Sequence, residues 1–341
     1  MAALSAFWGS NTNSLVDESY AVGQKTTFNF SYDLLNRGSP DALTFDLVVE
    51  DRGPIGTELP PLFGGLASGS IVPPAVTWGD FDLGITQAYI RQSLFNNHFQ
   101  YTVGKVFAPN YLNAYPFFDD NRQFLNQTFS TGPTIASPLR GFGAVAAWYP
   151  TDTGLYLQSG IYTANSSDTG STIKDFFTND EHFYHFDIGW SGLAQTGTPI
   201  NARGPMDANN VHVTLWHKDK QDNGSPEAEG AAFNVNYMVD DNVVVFFRSG
   251  LSDGWFVDRN LSAGFGWRPD NGTNDLFGLG AGWAHPSSDA LDCQYTAEAF
   301  YRYQLTPNQA LTPDLQMIVN PSLAPDVDVL WVASVRARVT F

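Results

Sequence analysis

The chain has 341 residues, of which 43% are apolar, 14% aromatic and only 15% charged, against about 25% charged in ordinary soluble domains. No apolar run approaches the roughly 18 residues of a spanning helix, which excludes a helical membrane protein but not a barrel, whose alternating strands average out in hydropathy. The net charge of −18 argues against a nucleic-acid partner, and the single cysteine, Cys293, excludes an intramolecular disulfide and a Cys-rich metal site.

Strand-length segments bounded by turn signals are expected near 26–35, 41–50, 81–94, 98–107, 141–149, 155–163, 182–190 and 210–218. They continue near 229–239, 243–250, 260–268, 275–284, 293–304, 309–319 and 329–341, fifteen in all. A strand turns successive side chains to opposite faces, so alternation reports what each face meets. Tyr184, Phe186, Ile188 and Trp190 oppose His185 and Asp187. Phe233, Val235, Tyr237 and Val239 oppose Asn234 and Asn236, and Leu261, Ala263, Phe265 and Trp267 oppose Ser262 and Arg268. Two segments break the pattern. In 81–94 the apolar face moves from Phe81, Leu83 and Ile85 to Ala88 and Ile90, which a β-bulge would explain. Lys105 falls on the apolar face of 98–107, as a rim residue that snorkels or because Gly104 marks a second bulge.

The last segment is the most telling. Val329, Trp331, Ala333, Val335, Ala337, Val339 and Phe341 share one face, while Ser334, Arg336, Arg338 and Thr340 lie on the other. One greasy and one cationic face on a chain-closing strand fit a barrel with lipid outside and water inside. Placing the C-terminus in the periplasm makes the connections at 36–40, 95–97, 150–154, 240–242, 269–274 and 305–308 periplasmic, and all are short. The connections at 51–80, 108–140, 164–181, 218–228, 251–259, 285–292 and 320–328 then face outward, and most are longer, with 191–209 the one long connection on the wrong side. The same count demands a further strand before residue 26, for which Ala2 to Ser10 is the candidate. The expected fold is therefore all-β: one transmembrane antiparallel β-barrel domain over 1–341, of 16 strands, with long extracellular loops. Aromatics such as Trp148, Trp190, Trp267, Tyr303 and Trp331 cluster toward strand ends, at the level of the headgroups. A soluble sandwich would leave the loop asymmetry and the closing Phe341 as coincidences. Residues 1–10 have no basic start and no long apolar core, so the sequence reads as a mature outer-membrane protein whose secretory signal has been removed.

The stretch A-E-A-F-Y-R-Y-Q-L-T-P-N-Q-A-L-T-P-D-L-Q-M-I-V-N-P, from Ala297 to Pro321, resembles the carbohydrate-selective porin family of the OprB type, most specifically over Leu311 to Pro321. Tyr101 to Phe107, followed by Phe117, Phe118, Asn121, Phe124, Asn126 and Phe129, resembles the same family more loosely. The resemblance implies a sixteen-stranded barrel that passes sugars by diffusion.

The residues themselves point to candidates for transport. Sixteen strands leave an aqueous lumen that something must narrow, and the 108–140 connection is long enough to be that pore-constricting loop. It mixes Tyr111, Tyr115, Phe117 and Phe118 with Asp119, Asp120, Arg122 and Arg140, offering ring faces and charges together. Arg248, Arg268, Arg302, Arg336 and Arg338 fall on the wet faces of the strands, with Glu298, Asp314 and Gln316. Interleaved arginines and carboxylates suit neutral polyols, which bind through many modest hydrogen bonds. The same side chains could instead only satisfy one another along the wall. Passive diffusion of sugars is the first expectation. An arginine-lined pore for small organic anions and a general diffusion porin are the alternatives. An enzyme is not expected, because His285 beside Ser287 and Ser288 is the only close Ser–His neighbourhood. Residues 1–25 are too short for a plug. Asp270, Asn271, Gly272 and Asp275 read first as a turn, so neither metal nor cofactor is expected. Expected partners are a small polar solute and outer-membrane lipids with lipopolysaccharide, with acidic outer loops available for bridging through divalent cations. A homotrimer and a monomer are equally compatible with the sequence.

Overall fold

A computed structural model describes residues 1–150, 153–193 and 209–341. In chain order the strands are β1 (Ala2–Asn11), β2 (Tyr20–Leu35), β3 (Leu43–Pro54), β4 (Phe81–Leu94), β5 (Phe99–Phe107), β6 (Arg140–Trp148), β7 (Leu155–Thr163) and β8 (His182–Ser191). They continue with β9 (Asn210–Lys218), β10 (Ala228–Asp240), β11 (Val243–Asp253), β12 (Val257–Trp267), β13 (Leu276–Pro286), β14 (Gln294–Thr306), β15 (Gln309–Val319) and β16 (Val329–Thr340). Each strand pairs antiparallel with its sequence neighbour, and β1 closes the barrel on β16. Ala6 faces Gln24 of β2 on one side and Ala337 of β16 on the other. The strand that the parity of the count requires is thus present at the start of the chain. Two short helices, α1 (Pro61–Leu66) and α2 (Ile173–Thr178), lie in connections.

Apolar side chains face outward, the reverse of a soluble domain. On β8, Phe183, His185 and Asp187 are buried while Tyr184, Phe186, Ile188 and Trp190 are exposed. On β16, Trp331 is 42% exposed and Arg336 only 1%. Alternation along a strand specifies this, because a slip of β16 by one residue would send Arg336 and Arg338 to the lipid face.

The break in 81–94 is a bulge. Val48 pairs with Gln87 and Val49 with Ile85, so Thr86 is skipped and sits buried with its hydroxyl on the Val48 carbonyl. Gly104 is not a second bulge, because Tyr89–Gly104 and Ala88–Lys105 pair in unbroken register. Gly104 has φ +143°, and a Cβ there would lie 2.4 Å from the Ala88 carbonyl. Lys105 resolves its place on the apolar face by donating to three backbone carbonyls, of Ile85 and Asp168 at 2.9 Å and Gly170 at 2.7 Å. The L-T-P-D segment also has a local reason. The β14–β15 ladder skips from Phe300–Asp314 to Tyr303–Leu311, where Pro313 has no N–H to give.

The dense packing lies inside the barrel, and loops supply it. The connections after β3 and after β5 both turn inward. Trp78 packs on Phe7 of β1 at 5.3 Å, and Val72 packs with Ile71, Val257 and Ala284. The connection that begins after β8 at Gly192 and ends at Asn209 lies, over 194–208, outside the described residues.

Candidate functional site in the lumen

The connection from Ala108 to Leu139 crosses the lumen as a folded unit. It opens with a 3-10 turn at Ala108–Asn110, and an aromatic cluster then fixes its middle. Phe117 and Phe124 lie 5.7 Å apart, and both rings touch Phe246 of β11. Phe124 also meets Phe129 at 5.1 Å and Phe300 of β14 edge-on at 4.9 Å. Phe117 is fully buried and Phe118 nearly so, against Phe107. Such ring pairs add about 0.5–1.5 kcal/mol each beyond the area they bury. Phe246 and Phe300 were not singled out in the sequence. Phe300 is an aromatic on an otherwise polar face, and that anomaly is the signal that could have found it, whereas Phe246 follows Val244 on its own face and carries no such mark.

Polar wall residues hold the loop backbone. The Glu298 carboxylate accepts from the amides of Leu125 at 2.5 Å and Asn126 at 3.0 Å. Gln316 takes the Asn126 side chain at 3.0 Å and donates to the Pro74 carbonyl, also at 3.0 Å. Arg336 donates to the carbonyls of Asp120 and Gln123, each at 2.6 Å, and pairs with Asp314 at 3.3 Å. Arg248 donates to the Ser130 carbonyl at 2.8 Å and lies over the Tyr115 ring at 4.3 Å. Burial raises the Tyr115 hydroxyl well above the usual tyrosine range, with Arg248 opposing, so the ring stays neutral. Asp120 receives the amide and hydroxyl of Thr77, bracing this loop against the one after β3. Of the sequence candidates, therefore, Glu298, Asp314, Gln316, Arg336 and Arg248 lie on the wall behind the loop, and the loop's own Asp120, Phe117 and Phe118 are buried within the packing that holds it.

Arg122, Arg268 and Arg302 line open space, and the largely buried Asp119 edges it beside Arg122. Arg122 pairs with Asp119 at 2.7 Å, its side chain 42% exposed. Two cavities meet there. One, of about 360 Å³, lies between Asp119, Asn121 and Arg122 and a wall carrying Lys25, Asn29 and Gln87. The other, of about 350 Å³, opens toward the short turns and is lined by Arg122, Arg268, Arg302 and Arg338. Arg122 and Arg338 border both. Lys25 and Glu50, 3.5 Å apart, extend the charged wall together with Arg52 and Arg140. Lys25, Glu50 and Arg52 escaped the sequence reading because β2 and β3 alternate weakly.

The remaining motifs resolve as local structure. His285 pairs with Asp258 at 2.7 Å, and the Ser287 hydroxyl goes to the Trp255 carbonyl. Asn271 donates to Asp275 at 3.0 Å within a turn that contains Gly272 at φ +73°. Among the described residues, no group of three His, Cys, Asp or Glu side chains is arranged to hold a metal ion.

Comparison with known proteins agrees with this architecture. The Pseudomonas putida OprB structure determined at high pH superposes with a TM-score of 0.78 at 15% identity, covering 100% of this chain and 93% of that one. The low-pH structure of the same protein gives 0.58 at 12% identity, covering 100% and 92%. A mutant of the Rh. blastica porin gives 0.54 at 10% identity, covering 99% and 100%. No curated protein matches the sequence. At these identities the likeness establishes the barrel fold alone. The family model for the carbohydrate-selective porin, OprB family, matches residues 17–341. This chain, a closed sixteen-stranded barrel with an apolar outer face, belongs to the OprB family of carbohydrate-selective porins.

Proposed function

We propose that the protein passes mono- and oligosaccharides passively through the lumen, and that the loop over 108–140 is its constriction. The observation that carries this reading is the division of labour in the loop: its aromatic middle and backbone are fastened to the wall, while Asp119, Asn121 and Arg122 border one cavity and Arg122 also borders the second. A carboxylate, an amide and a guanidinium at one opening give a polyol both acceptors and donors. Each such bond is worth about 0.5–1.5 kcal/mol net, so several together hold a sugar briefly without trapping it.

In this reading Asp119 and Arg122 touch the solute, with Arg302 and Arg268 lining its way to the short-turn side. Glu298, Asp314, Gln316, Arg336, Arg248, Asp120, Phe117 and Phe118 act by holding the loop. The outer belt meets outer-membrane lipid and lipopolysaccharide. Swelling of liposomes that contain the protein tests the proposal. Sugars should enter faster than neutral amino acids of equal size, with rates falling from mono- to trisaccharides. Equal rates for sugars and size-matched non-sugars would leave only a general diffusion pore.

A further inference from the structure

We infer that the cavity on the short-turn side of the loop is an oxyanion subsite, which favours polyols bearing one carboxylate or phosphate over neutral sugars of the same size. The inference rests on the sugar-channel reading above and assigns it a solute class. Arg268 follows the end of β12, Arg302 lies on β14, Arg338 on β16 and Arg122 at the loop tip. The β-barrel's inward positions and the folded loop bring these four guanidiniums to one cavity of about 350 Å³. Among the described residues that line it there is no carboxylate.

That is unexpected in a chain of net charge −18. The charges acting most strongly on Arg302 are Arg122, Asp119, Arg268 and Arg338, three cations to one anion. Asp119 is bound to Arg122 and borders the other cavity. Mutual repulsion of like charges held together is relieved by a bound anion, and the planar guanidinium fork matches carboxylate and phosphate oxygens. Arg302 is oriented by donating to the Asn274 carbonyl at 2.9 Å, and Gln304 and Asn308 add neutral groups suited to hydroxyls. A solute with its oxyanion among the arginines reaches Asp119 and Asn121 with its polyol end, because Arg122 borders both spaces.

The test is block of single-channel current in planar bilayers by glucose, gluconate and glucose 6-phosphate, added from the short-turn side. At about 0.1 M KCl the better acidic probe should half-block at roughly tenfold lower concentration than glucose, and the gap should close at about 1 M as screening shortens from about 10 to 3 Å. Whichever acidic probe blocks at the lower concentration identifies the oxyanion. In the Arg268→Gln/Arg338→Gln variant the ratio should fall to within about twofold. Equal block by all three probes in the native protein overturns the subsite and leaves the sugar channel standing. A ratio that persists at high salt or in the variant overturns it equally. Block by none of the three overturns both. Should the variant not insert, the salt dependence of the native protein decides.

Discussion

Arg336 and Asp314 are paired at 3.3 Å on adjacent strands where water scarcely reaches, and the same guanidinium holds two carbonyls of the inward-folded loop. The loop is therefore fastened to the wall by a buried charge rather than by surface contacts. Removing one partner of such a pair leaves the other uncompensated, at a cost of about 3–5 kcal/mol. Arg336→Ala should lower the thermal unfolding transition in detergent and give larger, noisier single-channel currents as the loop loosens. An unchanged transition and a quiet channel would count against this role.

Phe124 is the hub of the aromatic cluster, touching Phe117, Phe129, Phe246 and Phe300. Phe124→Ala should cost about 3–5 kcal/mol, the range for truncating a fully buried ring. The same variant should admit larger sugars in liposome swelling. Native size exclusion with normal stability would mean that the cluster does not support the constriction.

The outer face predicts an asymmetry between two arginine substitutions. Leu315 is 47% exposed in the middle of β15, where an arginine facing hydrocarbon should cost about 2–4 kcal/mol. Asn29 borders a lumen cavity, where an arginine should be nearly neutral. Folding into lipid vesicles under urea measures both, and equal losses would contradict the lipid–water assignment of the two faces.

Asp275, in the turn before β13, gives a pH signature. Burial pushes its carboxyl up, but hydrogen bonds from the Gln304 amide, Thr273, Asn271 and Tyr301 outweigh this and hold it below the ordinary aspartate range. A depressed folded value stabilises the native state above the ordinary aspartate range, and the gain is lost as pH falls through the folded value. Asp275→Asn should thus destabilise the barrel at pH 7, and the difference from the native protein should shrink below about pH 4. A difference that stays constant with pH would show that the charge is not what the turn uses.

Much of the barrel was readable because alternation has a period of two and each strand reports its own face. Parity then called for the strand now seen at Ala2–Asn11, and the shifted apolar face of 81–94 pointed to the bulge at Thr86. What could not be read was how the lumen is filled. Alternation says that Glu298 and Arg336 point inward but not whether they meet solute or a loop backbone. Trp78 and the segment around Pro73 and Pro74 sit in a connection that looked merely outer, because nothing periodic marks a loop that folds back. Phe300 lies where polar neighbours make a ring look misplaced and Phe246 follows the inward Val244, and only the three-dimensional meeting with Phe124 explains why both rings are there.

The most direct test of the account is the single-channel current of the native protein and of Arg122→Ala, titrated with glucose and maltose. The account predicts that sugar reduces the native current in a saturable way. In the variant the open current should rise and the sugar concentration for half-block should increase severalfold, because the loop tip loses its donor. A large native current that no sugar reduces, or a variant indistinguishable from it, would contradict the claim that the tip of this loop is where sugar passes.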